Sequence, residues 1–374
     1  MNRARPRGWV LAALLIGSGL ALPQIARRFP GWLEQVYAEK LFPNLMELLV
    51  VPARQVSWSV AQVLLLGLAA VLVVGFLHAL SRARKKRSVG AFFAGTTGWL
   101  IAVGVVIWAF YLVWGLHYAR APLAALYGLT PKPADATALC RVTRLLAADT
   151  NYSYRLATTR NELGRADDAP SRLLQPRDEL AKVLSSAHGL HHARMARVAL
   201  PPPKSPALFS ELLSRLGISG IYIPFTGEAT VNGLMPEAAI PFVTAHEMAH
   251  QRGVAREDEA NFAAWLACRE SGMAAARYSA SLAAYSSFLG ALREVAPDSA
   301  RALNQGLLDP GPAADRLAIW DFWKRYEGPG NDLAEAVNDT YLKGNAQPEG
   351  VRTYGRMVDL ILAHEADGRW DPGW

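Results

Sequence analysis

The chain has 374 residues and a net charge of +7, and 51% of its residues are hydrophobic. That hydrophobic fraction excludes an intrinsically disordered protein, because disordered chains carry too little apolar surface to form a core. Much of the positive charge lies in two short runs, Arg3 to Arg7 and Arg82 to Arg87, each beside an apolar stretch. This placement is typical of membrane topology signals and argues against nucleic-acid binding.

Three apolar stretches in the first third of the chain are long enough to span a bilayer. They run from Trp9 to Ile25, from Val56 to Leu80 and from Ala91 to Leu116. The first also has the form of a secretory signal peptide, and it imposes the same topology in either case. We therefore predict three transmembrane helices in a membrane region over residues 1–118, with the lipid bilayer as its partner.

The basic residues predict the orientation of these spans. The amino-terminal tail and the loop from Ser81 to Ser88 are the most concentrated basic segments, and cytoplasmic loops carry the excess of Lys and Arg. An odd number of spans then places residues 119–374 outside the cytoplasm. The expectation is a multi-pass membrane protein with a cytoplasmic amino terminus and an extracytoplasmic domain.

Residues 119–374 are predicted to form a mainly α-helical domain with a small β element. Apolar residues recur at helical spacing between Pro and Gly positions. One segment, Ile221 to Asn232, instead has β-branched and aromatic residues around Thr226-Gly227, which is typical of two strands joined by a turn. The predicted helices cover residues 136–148, 177–199, 207–216, 240–252, 257–271, 275–295, 316–326, 333–343 and 351–363.

The two cysteines, Cys140 and Cys268, are too few for a disulfide framework or for a zinc site of paired cysteines. Any metal site must therefore use histidine and carboxylate side chains. The two cysteines either form one disulfide bond outside the cytoplasm or act as small buried hydrophobic side chains.

The strongest chemical signal is the segment HEMAH, an H-E-x-x-H motif. His246 and His250 are one helical turn apart on one face, so both imidazoles can bind a single ion, and Glu247 lies beside them. In hydrolases with this motif, zinc activates a water molecule and the glutamate accepts its proton. The sequence thus predicts His246 and His250 as zinc ligands, with Glu247 as the catalytic base.

A catalytic zinc site needs a third protein ligand, and the acidic segment after Gly253 offers candidates. The arrangement E-x-x-A-N resembles the E-x-x-A-D signature of the membrane-embedded CAAX prenyl endopeptidases and their bacterial heat-shock relatives. That resemblance implies Glu257 as the ligand and Asn261 as the residue that supports a ligand histidine, with Glu259 as the alternative ligand. Asn replaces the acid of the signature, and the gap after His250 is far shorter.

Longer segments resemble the bacterial membrane-protein family catalogued as domain of unknown function 3810. They are WGLHYARAPL, IYIPFTGEATVN, HEMAHQRGVAREDEANFAAW, NDTYLKGN and GVRTYGRMVDLIL. The resemblance extends from the end of the third apolar stretch nearly to His364. It implies the bacterial inner membrane as the location and a zincin-like metallopeptidase type. His117 stands where the family is expected to have Asn.

Further site candidates follow from zincin chemistry. A strand near the active-site helix can pair with an extended substrate, which makes Tyr222, Ile223 and Glu228 candidates for substrate binding, although a purely structural hairpin fits equally well. Tyr341 and Tyr354 are candidates for hydrogen bonding to a developing oxyanion, or are simply surface residues.

These features predict a membrane-anchored zinc-dependent hydrolase, a metallopeptidase acting on a peptide or protein of the cell envelope. Hydrolysis of another amide would use the same chemistry. The alternative from a different class is a non-catalytic membrane scaffold that retains the zincin helices. Glu247 favours the enzyme, because a structural zinc site does not need a base.

Overall fold

The computed structural model describes residues 5–86, 96–164, 170–174, 177–185, 198–345, 347 and 356–370. The chain divides into two compact units. The first comprises Met1–Arg120 with Ile223–Gly227, and the second comprises Ala121–Tyr222 with Glu228–Trp374. The sequence predicts a membrane region over residues 1–118 and an extracytoplasmic domain over residues 119–374.

The first unit is helical. Its elements in chain order are α1 (Arg5–Ala26), α2 (Pro30–Trp32), a π-helix (Leu33–Leu41), α3 (Phe42–Leu49), α4 (Val51–Gln55), α5 (Val60–Lys86), α6 (Thr96–Val113) and a 3₁₀ turn (Gly115–Ala119).

Two of these helices, rather than the three that were predicted, are long and apolar enough to cross a membrane among the described residues. They are Gly8–Ala26 and Val60–Ser81. The third predicted stretch forms a shorter apolar helix, Thr97–Val113. At 1.5 Å per residue the described part of this helix is about 25 Å long, compared with roughly 30 Å for a bilayer core. It ends because the backbone turns at Trp114 into the 3₁₀ segment, and residues 91–95 lie outside the described residues.

Helices α1 and α6 pack side by side and run in the same direction. A Cβ on Gly8 would lie 2.7 Å from Thr97, and a Cβ on Gly104 would lie 2.7 Å from Leu15, so the contacts advance together along both helices. Trp108 Nε1 also donates a hydrogen bond to the carbonyl oxygen of Leu15 at 3.1 Å. Small residues that allow close backbone approach are typical of helix pairs in membranes.

The segment that follows α6 is packed into the first unit. The ring of His117 is 4% exposed and its centroid lies 4.2 Å from that of Phe42 and 5.0 Å from that of Tyr37. Three residues later, Arg120 forms an ion pair with Glu34 at 2.7 Å. His117 is therefore part of the hydrophobic packing of this unit.

The remaining elements are mainly helical, as predicted, with two small two-stranded sheets. In chain order they are α7 (Leu123–Tyr127), α8 (Ala136–Thr159), β1 (Leu163–Gly164), β2 (Arg172–Leu173), α9 (Arg177–Ser185), α10 (Ala207–Arg215), β3 (Gly220–Ile223), β4 (Glu228–Val231), a 3₁₀ turn (Glu237–Ala239), α11 (Ile240–Gln251), α12 (Glu257–Glu270), α13 (Ala274–Val295), α14 (Pro297–Asn304), α15 (Pro310–Arg325), α16 (Pro329–Gly344) and α17 (Met357–Ala366).

Most predicted helices have a counterpart among these elements, and the differences lie at their ends. Helix α8 continues eleven residues beyond the predicted end at residue 148, because apolar and small residues still recur at helical spacing as far as Thr159. Helix α14 was not predicted, because its eight residues are too few for a periodic pattern to stand out, although the buried residues Ala300 and Leu303 have helical spacing. Residues 186–197 and 351–355, which were predicted to be helical, lie outside the described residues.

The core of the second unit lies between α8, α11, α12 and α13. Trp265, Tyr278 and Phe288 are completely buried, and alanines such as Ala245 and Ala249 let the helices approach closely. Burying side chains of this size contributes about 2–3 kcal/mol each to folding. Helix α11 is thus held firmly within the core of the second unit.

A buried ionic cluster joins three helices of this core. Asp149 on α8 is fully buried and accepts a hydrogen bond from Arg277 Nε on α13 at 2.8 Å. Arg269 on α12 and Ser281 on α13 contact the same carboxylate. A buried charge is tolerated only with such partners, so this cluster fixes the relative positions of the three helices.

Strand β4 lies against α11. It pairs with β3 on one edge, and on the other edge Lys204 donates its backbone N–H to Ala229 at 2.9 Å and accepts from Val231 at 2.8 Å. Every residue of β4 is buried. The sheet therefore brings β3 to the side of the helix that carries the H-E-x-x-H motif.

Candidate metal centre

The histidine helix α11 has clear start and stop signals. Pro241 occupies its first turn, where a missing N–H costs nothing. Gly253 has a φ of 90°, a left-handed conformation that favours glycine and terminates helices. The N–H of Val254 then donates to the carbonyl of Ala249 at 3.1 Å. The chain turns back at once, and the next helix begins at Glu257, close to the histidines.

Three side chains converge at the junction of α11 and α12. The Nε2 atoms of His246 and His250 are 3.0 Å apart, and Glu257 Oε2 lies 3.2 Å from the first and 3.3 Å from the second. Each residue is only 7–8% exposed. This trio is the one group of three potential metal ligands that the described residues bring together.

The orientation of His250 is set by its backbone neighbour. Its Nδ1 lies 2.7 Å from the carbonyl oxygen of Val254. Because a carbonyl oxygen can only accept, Nδ1 carries the hydrogen and the lone pair of a neutral ring is on Nε2. That lone pair faces the other two ligand candidates, which is the arrangement of a metal-binding histidine.

The electrostatics of the trio favour a bound cation or proton. Burial lowers the pKa of His250, but the charge and hydrogen bonding of Glu257 outweigh it and raise the value to about 9. Burial likewise raises the pKa of Glu257, but the two imidazoles hold it well below its usual range. A negative carboxylate between two imidazoles therefore favours the binding of a positive charge at the point where the three side chains meet.

Glu247, the predicted base, is next to this point and is 2% exposed. Burial raises its pKa to about 7, and the neighbouring imidazoles only partly oppose this shift. A carboxyl group with such a pKa can both accept and release a proton near neutral pH.

Strand β3 passes directly over Glu247. A Cβ atom on Gly220 would lie 2.5 Å from Glu247 Oε1, so only glycine leaves room for the carboxylate at this position. Gly220 was not among the site residues predicted from the sequence. The signal that was present is a glycine at the start of a predicted strand, which often marks the close approach of another group.

The structure separates the two candidates for the third ligand. Glu257 joins the histidines, whereas Glu259 Oε1 accepts the N–H of Leu123 at 2.8 Å and contacts Arg256 at 3.2 Å. Glu259 therefore holds the start of α7, and the group of three potential ligands among the described residues contains Glu257 instead. Asn261, the predicted supporting residue, is half-buried on α12, one turn after Glu257.

The predicted substrate-binding residues have different environments. Tyr222 is 8% exposed, and Glu228 is fully buried and paired with Lys204 at 2.8 Å. Ile223 is half-buried and belongs to the first unit. The strand residue that the structure brings to Glu247 is Gly220.

The oxyanion candidates also differ. Tyr341 lies on α16 and is 37% exposed, and Tyr354 lies outside the described residues. Gln347 was not predicted from the sequence, and its Oε1 accepts a hydrogen bond from the backbone N–H of Glu257 at 3.4 Å. The local sequence of Gln347 gives no sign of this contact, because Gln347 lies ninety positions after Glu257 in the chain and follows the end of another helix.

Both cysteines are free thiols. Cys268 is fully buried on α12, and its burial raises the pKa of the thiol. Cys140 is half-buried on α8. The two cysteines are therefore not joined by a disulfide bond in this structure, and Cys268 is a small buried side chain, the second of the two arrangements that the sequence left open.

The observations so far define a mainly helical chain with apolar helices long enough to cross a membrane and a buried His-His-Glu centre. The family model described as "Protein of unknown function (DUF3810)" matches residues 37–362. The chain belongs to this family, as the resemblance predicted. Neither a curated protein nor a solved structure gives a significant match.

Proposed function

We propose that the chain is a membrane-anchored, zinc-dependent hydrolase of the zincin-like metallopeptidase type. The observation that carries the proposal is the convergence of His246, His250 and Glu257 beside Glu247. Two histidines and one carboxylate are a common ligand set of catalytic zinc, which keeps its fourth position open.

The spacing of the three donor atoms fits zinc. Ligand atoms bound about 2.0–2.1 Å from one tetrahedral ion are roughly 3.4 Å apart. The three separations are 3.0, 3.2 and 3.3 Å, so His246, His250 and Glu257 could hold the ion with only small movements. The low exposure of all three favours tight binding, because water competes poorly for a buried site.

Glu247 and Gly220, which lie beside the ligands, then have separate roles in the reaction. Zinc supplies Lewis acidity, which polarises a carbonyl group and lowers the pKa of a water molecule. Glu247 accepts the proton of the attacking water at its carboxylate and transfers it to the leaving amine. The water oxygen bonds to the carbonyl carbon, the carbon–nitrogen bond breaks, and the products are an acid and an amine. Gly220 leaves the space that the carboxylate of Glu247 occupies.

We place the hydrolase outside the cytoplasm of a bacterial cell, acting on a peptide or protein of the cell envelope. The parallel packing of α1 and α6 supports this location, because the carboxyl-terminal end of α6, from which the second unit continues, then lies on the same side as the carboxyl-terminal end of α1. The basic loop that precedes α6 matches the amino-terminal basic tail, which is the cytoplasmic pattern.

The test uses the full chain, purified in detergent, with metal analysis and product detection. Wild-type protein should contain stoichiometric zinc, and His246→Ala should contain almost none. Glu247→Gln should keep zinc but lose hydrolysis by a factor of about 10²–10⁴ when envelope proteins or a peptide library are analysed by mass spectrometry.

The outcomes distinguish the competing functions. Absence of zinc from the wild type would refute the metal site. Zinc without any product in a broad screen would favour a non-catalytic scaffold. Products that form equally with Glu247→Gln would refute the role of that residue as the base.

A further inference from the structure

The helix that carries Glu257 lacks a cap of its own. Arg256 occupies the N-cap position of α12, and its side chain makes no capping hydrogen bond. The first N–H groups of a helix have no acceptor within the helix, so they need one from elsewhere. The N–H of Glu257 finds it in Gln347 Oε1, at 3.4 Å. Because a backbone N–H can only donate, this contact identifies the oxygen of the carboxamide.

Gln347 is itself held firmly by the end of α16. Its backbone N–H donates to the carbonyl of Leu342 at 3.0 Å, and the N–H of Asn345 donates to Tyr341 at 3.1 Å. Leu342 is completely buried, and Gln347 is 3% exposed. Bonds of this kind close the last turn of a helix, so the position of Gln347 follows that of α16.

The second polar atom of the Gln347 carboxamide is its nitrogen, Nε2. This nitrogen is buried and has no hydrogen-bond partner in the part of the chain that the structure describes. A buried donor without a partner destabilises the folded state. An apolar side chain would fill the same space without that cost, which points to a reason for a carboxamide at this position.

We propose that Gln347 is a positioning residue for the third zinc ligand. The inference deepens the proposed function and rests on it. Glu257 is the first residue of α12, so the direction of its side chain depends on how the first turn of that helix is held. Gln347 holds its N–H from a separate helix end, and this keeps the carboxylate directed at His246 and His250. Outer partners of metal ligands typically change metal affinity by about 10–100-fold.

The test measures zinc affinity in the full chain by competition with a chromophoric chelator, together with the thermal midpoint of the metal-free protein. Gln347→Met removes the acceptor with little change of shape and should weaken zinc binding by about 10–100-fold. Gln347→Glu keeps an acceptor oxygen and should retain the wild-type affinity. Gln347→Asn, which withdraws the acceptor by one methylene, is the second loss variant if the Met variant does not fold.

Asn151 provides a matched control, because its carboxamide also joins two elements. Its Nδ2 donates to the carbonyl of Leu307 and its Oδ1 accepts the N–H of Asp309, both at 2.8 Å. Asn151→Leu should lower the thermal midpoint and leave zinc affinity unchanged.

The results separate this inference from the proposed function. A wild-type chain that binds no zinc refutes the function and the inference together. A wild-type chain that binds zinc, with equal affinity in Gln347→Met and Gln347→Asn, refutes the inference alone. Equal losses in the Met and Glu variants also overturn it, because the acceptor oxygen would then be irrelevant.

Discussion

Replacing Gly220 by alanine tests the contact between β3 and Glu247. The backbone of Gly220 is not among the glycines with a left-handed φ, so alanine suits its conformation and only the new methyl group matters. That methyl carbon would lie 2.5 Å from Oε1, 2.7 Å from Cγ and 2.8 Å from Cδ of Glu247. Ordinary contacts between such atoms are about 3.5–4.0 Å. Glu247 must therefore move by about 1 Å in a packed environment.

The magnitude follows from this overlap. Overpacking in a well-packed interior typically costs about 1–3 kcal/mol, and a catalytic group misplaced by about 1 Å can lose about 10²-fold in rate. The stability effect can be measured without a substrate. A double-mutant cycle compares Gly220→Ala in the wild type and in a Glu247→Ala background, where the methyl group has space. The cost should fall close to zero there, which gives a coupling energy of about 1–3 kcal/mol.

Gly290 offers the control for this cycle. It lies exposed on α13, and a Cβ added there would meet nothing within 4 Å. Gly290→Ala should stabilise both backgrounds equally, by up to about 1 kcal/mol from helix propensity. Unfolding by urea or heat, followed by circular dichroism in detergent, supplies all the values. An equal cost of Gly220→Ala in both backgrounds would refute the contact as the cause.

Three further predictions follow from the same structure. Glu257→Gln should lose most of the bound zinc, whereas Glu259→Gln should keep it and only reduce stability, as metal analysis and thermal unfolding would reveal. Asp149→Asn leaves two arginines beside a neutral group in the core. The free energy of unfolding, measured by urea titration, should therefore fall by about 3–5 kcal/mol. A loss below about 1 kcal/mol would contradict the role of the buried cluster. Reporters fused after Leu116 should indicate a position outside the cytoplasm, and reporters fused within Arg82 to Arg87 should indicate a position inside it. The reverse pattern would overturn the proposed location.

The sequence alone was sufficient for features that depend on near neighbours. Helical periodicity predicted a mainly helical domain, and β-branched residues around a glycine turn predicted the β3–β4 sheet. The spacing of His246 and His250 placed both on one face of a helix wherever that helix lies in the fold. Gly253 marked the end of that helix because its left-handed conformation is a local property.

Tertiary structure decided what depends on distant parts of the chain. Glu257 and Glu259 are two positions apart, so they point to different sides of α12, and only the packing of that helix determines which one meets the histidines. Gly220 and Gln347 reach the site from other elements. A glycine at the start of a strand indicates that another group approaches closely but does not identify that group, and nothing in the local sequence of Gln347 predicts its contact with Glu257. The third apolar stretch was predicted to end at Leu116, but the backbone leaves the helix at Trp114. Hydropathy records which residues are apolar, whereas the end of a helix depends on where its backbone hydrogen bonds find partners.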